Sequence, residues 1–452
     1  MSVRSRFQIR DSWLVVLSPI VALLFVKGFA EYLLTEWPAI ATDPAFFQHT
    51  GWYILQGGVP YVDVWDVNPP VPFGIAAVLA AVSGGDMLVL HALSSALTTL
   101  VGAVSVILVG WVAKLVTGED AAAIAAGLTM LVVPEVFLLS PEGIRAQFYA
   151  LFFGTLALAL ILRDRPFLAG AVAALSAGSW QMGIVFAPLI VGMAYQRNGT
   201  KNALSAIAGG SLVAGVVIIV FAAAGALVPM IVQAVRAPLT AGSPNTLAEY
   251  GYTVLLVLGY GSILLPVAFF GWGYAGIRNL RDRWWLPAGG AILTYQVLTI
   301  DMDGSTDALL WLAFVALGVA IAVERMIKWQ PTMTARHSNN SPRTASRGWI
   351  VGIAIIIVIG LLVPAGIIWH NDSPYPQSTL QTMKEDAEVD EDISITPDDA
   401  DVPSMQTIYW EQLQPETCHY RLSWNEIRWI SITDDQLDTR ECSGWPTEVE
   451  RA

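Results

Sequence analysis

The sequence predicts an all-α polytopic membrane protein of about eleven transmembrane helices, with an interfacial helix in its first external loop and a small external C-terminal segment. Three observations carry this. Hydrophobic residues make up 55% of the 452, while charged residues make up only 13%, against roughly a quarter in soluble domains. The mean hydropathy is +0.56. The charge is partitioned too: from Asp372 onward nineteen carboxylates face five basic residues, which accounts for the net charge of −13 and leaves the preceding chain near neutrality. With no basic stripe, nucleic acid is excluded as a partner, and the bilayer is the expected one.

A helix needs about 20 apolar residues to cross a ~30 Å hydrocarbon core. The candidate runs are 12–34, 87–113, 120–139, 146–162, 166–179, 183–196, 204–226, 253–276, 284–300, 308–327 and 348–369. The first is too long for a signal-peptide core and is expected to stay as a span. Residues 166–196 read either as one long helix or as two short arms around Ser179, Trp180, Gln181 and Met182. The distribution of basic residues decides for two arms. With the N-terminus inside, one set of loops then collects Lys114, Arg163, Arg165, Arg197, Lys201, Arg278, Arg281, Arg283, Arg325 and Lys328. The opposite loops before the tail carry only Arg145 and Arg236. The expected organisation is a membrane domain over 1–370, an acidic solvated linker over 371–403 and a small external module over 404–452. Cys418 and Cys442, both in that module, are compatible with one disulfide outside the reducing cytoplasm.

The external loop 35–86 holds the polar stretch from Asp43 to Pro70, DPAFFQHTGWYILQGGVPYVDVWDVNPP, which contains no Lys or Arg. Asp43-Pro44 reads as a helix N-terminus with Asp43 as its cap, or as a reactive acid at the membrane surface, where partial desolvation favours a general base. Asp63 in Pro-Tyr-x-Asp and Asp66 in Asp-x-Asn-Pro are turn acids or ligands of a donor or acceptor, and Tyr61 and His49 join them as candidate contacts. Val71–Val82 is apolar but too short to span, and is expected to lie in the interface. Arg145 and Arg236, as rare outward cations, are candidate phosphate ligands, with Arg145 alternatively pairing with Glu142. Lys27 inside the first span is expected to be neutralised by Glu31 one turn on. The run DMDGSTD holds Asp301, Asp303 and Asp307. Asp301 and Asp303 are weak metal candidates because no further ligand follows in EF-hand register, and a solvated loop is favoured.

One pattern in that stretch is more specific: Asp43 after the first span, then Leu55, Gly57, Pro60, Tyr61, Asp63, Pro69 and Pro70. It resembles the multi-span C-type glycosyltransferases that use lipid-phosphate sugars, including the protein O-mannosyltransferase and aminoarabinose-transferase types. The Lys-poor, acidic composition fits the archaeal dolichyl-phosphate-mannose mannosyltransferases among them. Asp43-Pro44 departs from the Asp-Glu pair of the protein O-mannosyltransferases, and His91 stands where the aminoarabinose type often has a basic residue. The resemblance implies a polyprenyl- or dolichyl-phosphate sugar donor, a glycan or glycoprotein acceptor, Asp43 as base, inversion at the anomeric carbon and no cofactor. A transporter or lipid-linked sugar flippase is the alternative, since broken helices and an intramembrane Lys suit it. An oligosaccharyltransferase-like enzyme would require metal at the Asp301 cluster.

Overall fold

The computed structural model describes residues 12–240, 246–299, 305–328 and 405–412. The chain enters through α1 (Ser12–Thr35), then runs through two short helices, α2 (Thr42–Leu55) and α3 (Val71–Val82), before the long α4 (Met87–Thr117). α4 is capped by the Asp86 carboxylate, which accepts the Val89 N–H at 2.9 Å, and it ends at Gly118. At 31 residues it is about 46 Å long, more than the bilayer's apolar core, so its ends define two separate polar layers. Next come α5 (Asp120–Met130) and α6 (Glu135–Leu138), bent by 73° across a break containing Pro134, whose ring removes a helical donor.

α7 (Ala146–Leu162) and α8 (Pro166–Ser179) follow. The two-arm expectation holds: α8 stops at Ser179, Trp180 is extended, and a tight turn over Gln181–Val185 leads into α9 (Phe186–Ala223). α9 is itself broken at Asn198 and Gly199, where Gly199 has φ +62° and ψ −152°. A side chain at Gly170 would strike the Ala206 carbonyl and one at Gly209 the Phe167 carbonyl, so α8 and the second half of α9 pack backbone to backbone.

Residues 227–240, expected as loop, are helical instead: α10 (Leu227–Ile231), a π-helical turn Val232–Arg236 and α11 (Ala237–Thr240). The remaining elements are α12 (Leu247–Leu258), α13 (Leu264–Arg278), α14 (Leu280–Arg283), α15 (Trp285–Val297), α16 (Leu309–Lys328) and α17 (Met405–Trp410). α16 is the axis of the bundle. Every residue from Leu309 to Glu324 is buried, sheathed by α4, α5, α7, α13 and α15. Among the described residues four helical stretches are long and apolar enough to cross a membrane, five if the bent α5–α6 pair is one span. Each expected segment up to 327 is occupied by helix, whereas 348–369 and most of the linker and tail lie outside the described residues. The protein is integral to a membrane.

Ion pairs mark one end of the bundle. Lys114 meets Asp120 at 2.6 Å, Arg197 meets Asp164 at 2.5 Å, and Lys328 meets Glu324 at 2.6 Å. Arg283 grips Glu324 through both nitrogens, at 2.5 and 3.1 Å. These cations all belong to the loops grouped on one face by charge distribution alone. Lys27 and Glu31 pair at 2.8 Å as expected. Because Arg283 and Glu324 are largely buried, Arg283→Ala is expected to cost about 1.5–3 kcal/mol by removing charge-assisted bonds to a carboxylate left with Lys328 alone. The check is a lower thermal midpoint in detergent, much of it recovered by Glu324→Leu.

Candidate active site

The opposite end gathers the polar loop. α2 begins two positions before the Asp-Pro signal suggests: Ala41 is its N-cap, and Asp43 lies in the first turn with Pro44 behind it. The cap role weighed for Asp43 therefore falls to a residue with no side-chain bond. Asp43 keeps the favourable field of the helix N-terminus, and its carboxylate is turned to another partner. Arg145 Nη1, 102 residues later in the chain, donates to Asp43 Oδ2 at 3.1 Å, while Nη2 donates to Glu142 Oε2 at 2.5 Å. The Asp43 side chain is 57% exposed, but those of Arg145 and Glu142 are 14% and 15% exposed. The acid faces outward and the cation sits behind it.

Local backbone explains how Arg145 gets there. Ser140–Glu142 is a single 3-10 turn, and Gly143 leaves it with φ +121°, a conformation that disfavours any side chain. A Cβ at Gly143 would also overlap the Gln48 amide of α2. The chain then runs extended through Arg145 into α7. Burial alone would lower the pKa of the guanidinium, but the Glu142 and Asp43 carboxylates, with Asp307 further off, raise it above the usual arginine value. Arg145 is therefore a fixed cation. Its Nε is buried without a hydrogen-bond partner among the described residues. Asp307, from the turn Ser305–Ala308, accepts the Gln147 amide at 2.8 Å and adds a third, more weakly felt carboxylate charge to the surroundings of Arg145.

The stretch from Pro60 to Pro70 is clamped from the far side of the chain. Tyr61 holds the left-handed conformation, φ +68°, costly for an aromatic residue. Its N–H donates to the Val64 carbonyl at 2.8 Å, and its hydroxyl to the Asn68 carbonyl at 2.6 Å. Gln233 Nε2 donates to the Tyr61 carbonyl at 2.8 Å, and Gln233 Oε1 accepts the Asp66 N–H at 3.1 Å. Gln181 Nε2, at the break between the two arms, donates to the Val67 carbonyl at 2.5 Å. Gln233→Ala strands two buried backbone groups and is expected to cost about 1–3 kcal/mol, seen as faster hydrogen exchange over 59–68.

The sequence candidates thus separate. Asp43 and Arg145 come together. Asp63 accepts the Val59 N–H at 2.7 Å, and Asp66 accepts the Asn68 amide at 3.0 Å, so both make turn bonds. Tyr61 and His49 are buried, Tyr61 bracing its loop and His49 packed on Trp52 and Tyr53, so neither offers its side chain to solvent for the contact expected of it. Arg236 lies exposed on the π-helical turn that also bears Gln233. Asp301, Asp303, Cys418 and Cys442 lie outside the described residues. Among the described residues no three His, Cys, Asp or Glu side chains form a group that could hold a metal. Sequence reading gave no role to Gln233 or Gln48, and it placed Asp307 in a loop expected to be solvated, whereas Asp307 is buried. Only Glu142, three residues before Arg145, left a local signal.

The bundle thus sets an acid of its first loop against an arginine at the start of α7. The fold is that of membrane glycosyltransferases. It is similar to the oligosaccharyltransferase of Archaeoglobus fulgidus in the apo form (TM-score 0.53, 12% identity, 80% of this chain) and to ArnT from Cupriavidus metallidurans bound to undecaprenyl phosphate (TM-score 0.54, 12% identity, 79% of this chain and 72% of that one). The chain spans 56% of the length of the Archaeoglobus protein. The narrower likeness is in sequence: residues 57–221 match the family described as DolP-mannose mannosyltransferase. Over 439 residues the chain is 27% identical to the dolichol phosphate-mannose mannosyltransferase of Haloferax volcanii, covering 91% of this chain and 92% of that protein. The resemblance drawn from the first loop therefore stands: the likeness in fold and in sequence is to membrane glycosyltransferases.

Proposed function

We propose that the protein transfers a hexose, mannose being favoured, from a dolichyl or other polyprenyl phosphate to a hydroxyl of a lipid- or protein-linked glycan at the outer membrane face. The observation that carries this is the Asp43–Arg145 pair: an outward carboxylate 3.1 Å from a buried, permanently charged guanidinium. The family match supports the donor class, as does the undecaprenyl phosphate bound to the Cupriavidus protein.

In this reading the acceptor O–H bond breaks and its proton passes to Asp43. The acceptor oxygen bonds the anomeric carbon as the bond from that carbon to the phosphate oxygen breaks, and the lipid phosphate departs. In-line attack inverts the anomeric centre. Arg145 supplies the fixed positive charge beside the phosphate and offsets charge on the leaving group. Asp63, Asp66 and Arg236 are the remaining candidates for substrate contact at the loop. The packing of residues 405–412 against the helix bearing Asp43 supports the tail and the first loop lying on the same, external face, with the N-terminus cytoplasmic.

The test is transfer of labelled sugar in membranes, comparing dolichyl-phosphate-mannose with dolichyl-phosphate-glucose and assigning the product anomer. No transfer from either donor, or a retained anomer, overturns the reading. Because Arg145 meets the phosphate charge, transfer is expected to survive EDTA at about its untreated rate. Loss on chelation that a divalent cation restores would instead make the reaction metal-dependent.

A further inference from the structure

The short tail helix α17 is part of the first-loop assembly. Met405, Ile408 and Tyr409 are buried in an apolar cluster with Ile40, Ala45 and Trp52 of the α2 region and Met87 and Leu90 of α4. The Tyr409 hydroxyl donates to the Met87 carbonyl and lies 3.2 Å from Gln48 Oε1. Gln406 Nε2 is 3.4 Å from Thr42 Oγ1, and Gln412 Nε2 donates to the Gly85 carbonyl at 3.0 Å. The Trp410 and His91 rings lie perpendicular with centroids 6.1 Å apart, and the His91 ring stacks on Trp37 with centroids 5.0 Å apart.

These contacts converge on α2 at two levels. Gln406 reaches Thr42, next to Asp43. Tyr409 reaches Gln48, whose amide fills the space at Gly143, two residues before Arg145. One side of α2 packs into the main core through Phe47, and Ala45 and Trp52 face the tail. Asp43 is itself half exposed and takes its position from the helix that carries it.

The geometry points to residues 405–412 as a strap that holds α2 in the register setting Asp43 against Arg145, with Ile408 and Tyr409 as positioning residues. This rests on the reading of Asp43 as the base. The strap reaches the reaction through α2. Its loss should reduce turnover and leave donor recognition, which depends on Arg145, largely intact.

The experiment uses the full chain in membranes, with rates per folded molecule at saturating donor and acceptor. The variants are Ile408→Asp, Tyr409→Ala, Asp43→Asn and the double variants with Asp43→Asn. An error of about 1 Å in a catalytic group costs up to 100-fold, so each strap variant is expected to lower kcat by about 10- to 100-fold, with the donor KM within about twofold. In the Asp43→Asn background neither should lower the residual rate further, because the group they position is already gone. A merely structural strap would lower the yield and the thermal midpoint, with kcat per folded molecule unchanged. Wild-type kcat in both strap variants, or full additivity with Asp43→Asn, overturns the strap while leaving Asp43 as base. If Asp43→Asn is itself fully active, the assignment of Asp43 as base falls and the strap proposal with it. Should Ile408→Asp fail to fold, Tyr409→Phe combined with Gln406→Ala removes the polar contacts alone, and the same criteria apply.

Discussion

Asp43→Asn is expected to lower sugar transfer by about 10²- to 10⁴-fold, the range associated with removing a general base. The amide is nearly isosteric and still presents an oxygen to Arg145, so α2 and the loop behind it should keep their structure. The loss should fall on kcat, with the donor KM little changed, because the base works only as the acceptor hydroxyl is deprotonated. The measurement is initial rates from dolichyl-phosphate-mannose at matched amounts of folded protein, with a filter-binding assay for the lipid phosphate. Retained turnover would reduce Asp43 to a first-turn acid favoured by the helix dipole and move the search to Asp63 and Asp66.

The Arg145 series should separate stability from chemistry. Arg145→Lys keeps the charge but loses the fork that spans Asp43 at 3.1 Å and Glu142 at 2.5 Å, since an ammonium is a single point charge. Turnover is expected to drop by about 10²- to 10³-fold, comparable with removing one oxyanion donor, and the donor KM should rise. Arg145→Ala should in addition destabilise the protein by about 3–5 kcal/mol, because the buried Glu142 carboxylate is left without its cation. Arg145→Ala with Glu142→Gln should recover most of the thermal midpoint and none of the activity. Recovery of both would make the arginine a structural counter-ion only.

Much of the fold is legible in the sequence because membrane helices are specified locally. Each must satisfy its own backbone hydrogen bonds and present apolar side chains to lipid, so a composition window finds it. The runs 146–162 and 166–179 reappear as helices with those same limits, and Val71–Val82 forms with Val78 and Val82 exposed. The two-arm reading of 166–196 needed one non-local fact, the charge asymmetry of the loops, and that too is written in the sequence. The segment at 227–240 was missed for a physical reason. Its helix is interrupted by a π turn, held by Gln233 bonds to a loop more than 160 residues earlier, and no local period announces that.

The site divides along the same line. By itself the sequence determined that a cation-free acidic loop follows the first apolar run, and it singled out Asp43 as the foremost candidate acid there and Arg145 as one of two candidate phosphate ligands. Only the tertiary structure decided that these two meet, that Glu142 shares the arginine with Asp43, that His49 and Tyr61 are buried, and that residues 405–412 fold back onto α2. The reason is range. Helix, turn and charge preferences act over a few residues, whereas an ion pair closing 102 residues or a strap closing more than 300 depends on where the packed bundle places its ends.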